Sequence, residues 1–412
     1  MSHESVRPGE ELDLYYYDAD TSKKQAFPTT FDTRFIQNFQ NTTGGSSTFT
    51  IPPANGITDI LLNFAFYNSG ASPGAIALPR AWSYALIERV SFRYGGSSQY
   101  FLSGDQILQN ALRSQPSKPC ADAIMTLGGN YATGASLQGY NYGSVVLTLP
   151  HNMPSGVGKK NPFPTDLLTQ QVQITVELKT PSSIFTNQTG GALPAWTSQL
   201  YSAQFQVAQI VLNNQGDALA RRHDMSVNAY AYPAQFTQNV VRIPLATGAG
   251  SQPVVLTGFR AGEVVSLQMW LTRTSDTSST TTGYMPFRWY LPSSVIVSYA
   301  GLQYSRFENG SSALWNLVNG SKPPAVENLS IAGAGGAITT ASELSQWVEC
   351  PFAQPLVDED SHNILIHGKP ITNGIVNVDI TPPSSQSDWV LNVSYVYNTT
   401  MLFSQGTVDF VF

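Results

Sequence analysis

The chain has 412 residues, of which only 12% are charged, and a formal net charge of −6. A single compact core rarely grows past roughly 250–300 residues, so the length points to two domains of about 200. The acidic balance and the lack of clustered Lys and Arg exclude a dedicated nucleic-acid binder.

In chain order, the opening "MSHESVRPGEELDLYYYDAD" has no apolar core of the kind a secretory signal needs. No window reaches the roughly 18 consecutive apolar residues of a spanning helix. The expectation is a soluble product of the cytosol, with residues 1–27 forming an arm outside the folded units. The doublets Lys23-Lys24, Lys159-Lys160 and Arg221-Arg222 read as solvated loops.

From Pro28 onward Gly, Pro and alternating apolar residues dominate; the chain holds 33 Gly and 26 Pro, which favours strands and turns. The stretch "VSFRYGGSSQYF" (residues 90–101) alternates Val90, Phe92 and Tyr94 and predicts a hairpin turning at Gly95-Gly96. Its design returns in "VIVSYAGLQYSRF" (295–307), with Tyr94 falling on Tyr299, an offset of 205 residues. At that offset residues 47–112 align with 252–317 without a gap. Phe49 and Ile51 fall on Val254 and Leu256; Leu62, Phe64 and Phe66 fall on Leu267, Met269 and Leu271; Tyr84 falls on Trp289. Each set has period two, so the repeated object is a series of half-buried strands.

After each hairpin the spacing becomes helical, in "GDQILQNALRS" and "SSALWNLVNG", with Asp105 and Ser311 or Ser312 as predicted N-caps. The Gly- and Ala-rich "CADAIMTLGGNYATGASLQGYNYG" and "ENLSIAGAGGAITTAS" read as long loops. The halves rejoin at "VLTLPHNMP" and "WVECPFAQP", where Pro150 and Pro154 match Pro351 and Pro355 at an offset of 201. "QVQITVEL" (171–178) then pairs with "IVNVDI" (375–380), and "AQFQVAQIVL" (203–212) with "WVLNVSYVYN" (389–398). Residues 213–224, "NNQGDALARRHD", read as a linker between a first unit at 28–212 and a second at 225–412.

About eight strands, long crossing loops and one short helix per half predict an all-β chain of two tandem eight-stranded jelly rolls, with tandem immunoglobulin-like or lectin-like sandwiches as the alternative. Chemistry is sparse. "GASPG" (70–74) matches G-x-S-x-G, but a nucleophile at Ser72 needs a strand turning directly into a helix, and Pro73 and the adjoining "AIALPRAW" offer none. Asp358, Glu359, Asp360, His362 and His367 are the densest set of potential metal ligands, yet two His five residues apart point to opposite faces of a strand, and the reading is a polar loop. "GAGGA" (333–337) lacks the strand and helix of a dinucleotide fingerprint. His3, His151 and His223 have no partner at useful spacing. No catalytic, cofactor-binding or metal residue is therefore assigned. Cys120 and Cys350 read as free thiols. The sequons at Asn41, Asn187, Asn309, Asn319, Asn328, Asn392 and Asn398 read as loop composition.

This order of segments, opening with "FDTRFIQNF" and "GITDILLNFAFYN", then "IERVSFRYGGSSQYF" leading into a short helix, then "VLTLPHNMP" and "QVQITVEL", resembles the double jelly-roll major capsid proteins over residues 28–412. That family builds the shells of tailless membrane-containing bacteriophages, adenovirus-like viruses, virophages and large eukaryotic DNA viruses. The resemblance implies a structural, non-enzymatic subunit of an icosahedral virion, made in the host cytoplasm and needing no cofactor. It further implies upright rolls and a homotrimer shaped as a pseudo-hexamer. The implied partners are neighbouring capsomers, penton and minor capsid proteins and an internal membrane, with no sequence-specific nucleic acid. The chain departs from the large eukaryotic viruses in lacking long loop insertions. A carbohydrate-binding or adhesive β-sandwich and a metal-dependent cupin-like enzyme are the competing functions.

Overall fold

The computed structural model describes residues 30–412 except 73, 95–98, 114–117, 150–162, 188–190, 213–229, 238–239, 249, 260–262, 278–284, 309–328, 333–337, 342–346, 353–354, 358–363, 367–368, 372–373, 405 and 412. Eight long strands build the first half: β1 (Thr30–Asn38), β2 (Gly45–Thr50), β3 (Gly56–Asn68), β4 (Ile87–Arg93), β5 (Gln99–Leu102), β6 (Gly139–Leu147), β7 (Gln173–Leu178) and β8 (Ser202–Leu212). They form two antiparallel sheets in the orders β1-β8-β3-β6 and β2-β7-β4-β5. Strands distant in sequence lie side by side, as the crossovers of a jelly roll require. Period-two burial follows from the alternation. Leu62, Phe64 and Phe66 of β3 and Phe205 and Val207 of β8 turn inward to meet Phe49, Val90, Phe92, Ile174 and Val176 of the other sheet. Each such side chain contributes about 1.5–3 kcal/mol by leaving water.

The second half repeats the plan with β9 (Tyr230–Thr237), β10 (Gln252–Leu256), β11 (Glu263–Arg273), β12 (Ser294–Tyr299), β13 (Leu302–Glu308), β14 (Val348–Pro351), β15 (Val376–Thr381) and β16 (Trp389–Ser404). Its sheets run β9-β16-β11-β14 and β10-β15-β12-β13, so every strand stands where the strand eight labels earlier stands in the first roll. Short strands at Val241–Pro244 and Thr407–Val411 extend the first of these sheets along β16. The residues paired by the 205 offset are buried in both copies, including Tyr84 and Trp289.

Register corrects two of the sequence matches. Leu62 faces Val145 and Leu267 faces Cys350, so β6 and β14 keep the 205 offset and the match of Pro150 to Pro351 at 201 does not hold. The position equivalent to Pro351 is Val146; Pro150 and Pro154 themselves lie outside the described residues. Likewise Leu62 faces Phe205 and Leu267 faces Tyr395, which sets β8 against β16 at an offset of 190. Aligning Ala203 with Trp389 is therefore four residues out of step. The chain between β7 and β8 is also longer than its counterpart. Ile174 to Phe205 spans 31 positions and Val378 to Tyr395 spans 17. The first roll fills the difference with short 3-10 turns at Pro181–Ile184 and Ala195–Ser198, which pack Phe185 and Trp196 edge to face at 5.3 Å.

Helices correct two further expectations. The predicted helix after the first hairpin is α2 (Gly104–Arg113), following α1 (Trp82–Leu86), but its cap is Ser103, not Asp105. The Ser103 hydroxyl accepts from the Gln106 amide at 3.4 Å, and the Gln106 side-chain oxygen accepts from the Ser103 amide at 3.1 Å. That reciprocal pair is a capping box. The stretch read as loop from Cys120 opens inside a helix, α3 (Lys118–Leu127), whose Met125 is buried. It stops at Gly128-Gly129, where Gly129 has φ 110° and a Cβ would overlap the Trp82 indole. Only glycine fits both demands. The second predicted loop carries a hairpin, Leu329–Ala332 with Ile338–Ala341. The Gly95-Gly96 turn, the arm at 1–27, the linker at 213–224 and the second helical stretch (311–320) lie outside the described residues.

Candidate assembly surfaces

The two rolls meet along β5 and α2 of the first and β9 and β16 of the second. Tyr100, fully buried on β5, sets its ring 4.7 Å from that of Phe236 on β9. Burial pushes its phenol well above the ordinary range, and hydrogen bonds with the backbone and side chain of Thr237 offset part of that rise. One turn into α2, Gln106 donates from its side-chain nitrogen to the Ser394 hydroxyl at 3.4 Å, both side chains fully buried. The same glutamine therefore closes the helix cap and ties the rolls. Asp105 pairs with Arg242 at 3.0 Å, but the arginine is largely exposed, so this contact is worth about 0–1 kcal/mol and the apolar contact dominates. The Thr169 backbone N–H donates a hydrogen bond to the Gly406 carbonyl at 2.9 Å, and Tyr94 packs 6.0 Å from Phe410. A continuous apolar cluster runs through both rolls.

One sheet of the second roll receives this contact at Phe236, Thr237 and Ser394 and is buried on both faces over much of its length. Along β16, Leu391–Tyr397 are buried at every position, and along β11, Val264–Leu271 are too. The corresponding strands of the first roll instead alternate. Register makes Asn63, Ser144 and Gln204 the counterparts of Gln268, Glu349 and Ser394, all polar. The first three lie on a partly open face, while the second three are at most 3% exposed. Ser266 donates to the Glu349 carboxylate at 2.8 Å there.

The open face of the first roll holds a shallow groove of about 280 Å³ lined by Arg34, Asp59, Leu61, Val146 and Gln206. Farther along the same sheet Tyr67, Tyr140, Tyr142 and Tyr201 stand exposed as a connected cluster of rings, with centroids 4.6 Å apart for Tyr67 and Tyr140 and 5.2 Å for Tyr140 and Tyr201. A hydrogen bond with Tyr201 raises the Tyr140 phenol to about 12. In the second roll the positions equivalent to Ala65 and Tyr142 are Trp270 and Trp347, both fully buried around Trp289.

The residues weighed for chemistry fall elsewhere. Ser72 sits in a loop, accepting from the Asn68 side chain at 2.8 Å, and the chain proceeds to a short strand at Ile76–Leu78, not a helix. Asp358, Glu359, Asp360, His362 and His367, the stretch 333–337 and His3, His151 and His223 lie outside the described residues. Among the described residues no three His, Cys, Asp or Glu side chains gather as a metal site would need, and no helix is long and apolar enough to cross a membrane. Cys120 is half-buried and Cys350 buried, and the two are not joined in a disulfide. Three sequons correct the loop reading: Asn187 lies in the two-residue strand Thr186–Asn187, and Asn392 and Asn398 lie within β16, where the Asn392 side chain is buried and donates to the Thr272 hydroxyl at 2.9 Å. Asn309, Asn319 and Asn328 are outside the described residues.

No protein-family model matches the chain and no curated sequence relative matches it. Solved structures do. The quasi-atomic model of the PBCV-1 virus capsid matches at a TM-score of 0.64 and 13% identity, over 93% of this chain and 96% of that one. The Faustovirus major capsid protein matches at 0.62 and 8%, over 96% and 93%. The mavirus major capsid protein matches at 0.53 and 11%, over 100% and 93%. At such identities the likeness is one of fold, and it spans both halves. With eight strands per roll repeated in the same order and register, the chain carries the double jelly-roll fold of the major capsid protein lineage.

Proposed function

We propose that the chain is a structural virion protein, the major subunit of an icosahedral shell, and not an enzyme. The observation that carries this reading is the end-to-end match to viral capsid proteins, covering more than nine-tenths of both chains, with no large insertion left over for another activity. In this reading residues 28–212 and 225–412 are the two rolls, 213–224 joins them, and 1–27 is an arm that orders against neighbours or the inner side of the shell. Three chains close into a ring of six similar rolls and pack as a hexagonal tile. Neighbouring capsomers, penton and minor proteins and an internal membrane are the partners, nucleic acid is not read by sequence, and the protein is made in the host cytoplasm.

Negative-stain microscopy of the purified protein tests this. Three-fold, hexagon-outlined particles are the expected result, and monomers at every concentration overturn it. The exposed tyrosine cluster favours a second reading, a carbohydrate-binding face, because aromatic rings offer flat apolar platforms with polar tips. Binding of the purified chain to a glycan array would support that alternative.

A further inference from the structure

We infer that the seam between the two rolls of one chain is a hinge, held at a dry aromatic end and able to part at a polar, water-filled end. The dry end is built from rings. Tyr94 and Tyr100 of the first roll meet Phe410 and Phe236 of the second, with centroids 6.0 and 4.7 Å apart, and Phe236 and Phe410 lie 6.3 Å from each other. The turn at Gly406 is seated against Thr169, whose backbone N–H and hydroxyl both donate to the Gly406 carbonyl. Gly406 has φ 77°, and a Cβ there would overlap the Thr169 side chain, so this seat requires glycine. The described chain also enters the second roll at this end, because Tyr230 pairs with Phe403 just before that turn.

The other end is polar and incompletely bonded. Gln106, Gln109 and Asn110 share one face of α2 by helical spacing, and Gln106 sets that face against the second roll through Ser394. Gln109 is fully buried, yet neither of its side-chain polar atoms has a hydrogen-bond partner among the described residues, and the buried side-chain nitrogen of Asn110 has none either. Directly across from Ser394 in register, Gln268 is also fully buried with both side-chain atoms unpartnered. The outermost contact at this end is the exposed Asp105–Arg242 pair. A buried amide without a protein partner is satisfied by ordered water, and parting such a contact costs little because the same groups bond water in the open state. Packed rings gain nothing from water and stay together. Rolls that swing in this way let one chain fit both the flat parts and the bends of a closed shell, a use that rests on the capsid reading.

The test uses the full chain with Cys120→Ser and follows maleimide labelling, site by site, of Gln109→Cys at the polar end and of Thr237→Cys, 1% exposed, beside Tyr100 at the aromatic end. Each native rate is scaled to the rate of the same site in denaturant. Gln109→Cys should react roughly tenfold faster than Thr237→Cys or more, and equal scaled rates overturn the inference. Adding Gln268→Leu, which removes an unpartnered amide and dries the seam, should slow the labelling of Gln109→Cys by roughly tenfold and leave the melting temperature unchanged or higher. Unchanged labelling overturns the inference, and so does a fall in melting temperature, which would show the Gln268 amide to be paired. Joining Asp105→Cys to Arg242→Cys with a short bismaleimide should leave the trimer intact and reduce the yield of closed shells. Equal yields from joined and unjoined protein overturn the use in the shell and leave the hinge standing. A chain that sediments as a monomer throughout overturns the capsid reading alone, because the labelling rates are read within one chain.

Discussion

Asp388 shows how one side chain ties two strands. It precedes β16, accepts from the Arg273 guanidinium at 3.0 Å and from the Ser275 amide at 3.1 Å, and so pins the end of β11. Burial pushes its carboxyl up, but the Ser275 and Arg273 bonds outweigh that and hold it below the usual 3.8. A depressed folded value means that the contribution is present above the unfolded value and lost as pH falls through the folded one. Asp388→Asn should therefore cost about 1 kcal/mol at pH 7 and progressively less below about pH 4, as read from melting temperatures across that range. Burial pushes the Cys350 thiol well up, so a thiol reagent should modify at most Cys120 in the native protein and both cysteines in denaturant. Reducing agent should leave the melting temperature unchanged; a large fall would reveal a bridge. Neither residue gave a distinctive sequence signal. Asp388 looked like any polar loop residue, and its partners lie 113 to 115 positions away.

At the scale of elements the repeat was legible because inward faces must be apolar twice over, and Leu62, Phe64 and Phe66 on Leu267, Met269 and Leu271 preserve that face. Leu62→Ala and Leu267→Ala should each cost about 2–5 kcal/mol by chemical denaturation, since both are fully buried at equivalent sites. The register of β8 on β16 was not legible. A strand such as "AQFQVAQIVL" keeps its period when slid by two or four residues, so periodicity alone gives the face and leaves the step undetermined. Helix α3 escaped notice because its flanking glycines read as loop, although they are what stops the helix. The seam between rolls was hidden for a related reason. Gln106, Thr237 and Ser394 are polar residues of the kind found on any surface, and only tertiary contact shows them to be buried.

For the whole molecule, an obligate trimer should bury well over about 2,000 Å² and persist from micromolar to nanomolar concentration in sedimentation. Removing residues 1–27 should leave the trimer intact and impair shell assembly; trimmed protein that still forms complete shells would deny the arm a role. The longer connection between β7 and β8 bears on how such tiles fit together. Because it exists in one roll and not in the other, a ring of three chains, as proposed above, would carry it on every other roll. A rotation by one sixth of a turn would then no longer map the tile onto itself, whereas a rotation by one third would. Two such tiles could abut in a matched or a mismatched phase wherever this connection reaches the rim. Uneven sides would give a growing sheet a means of rejecting misplaced pieces, a discrimination that six identical sides could not provide.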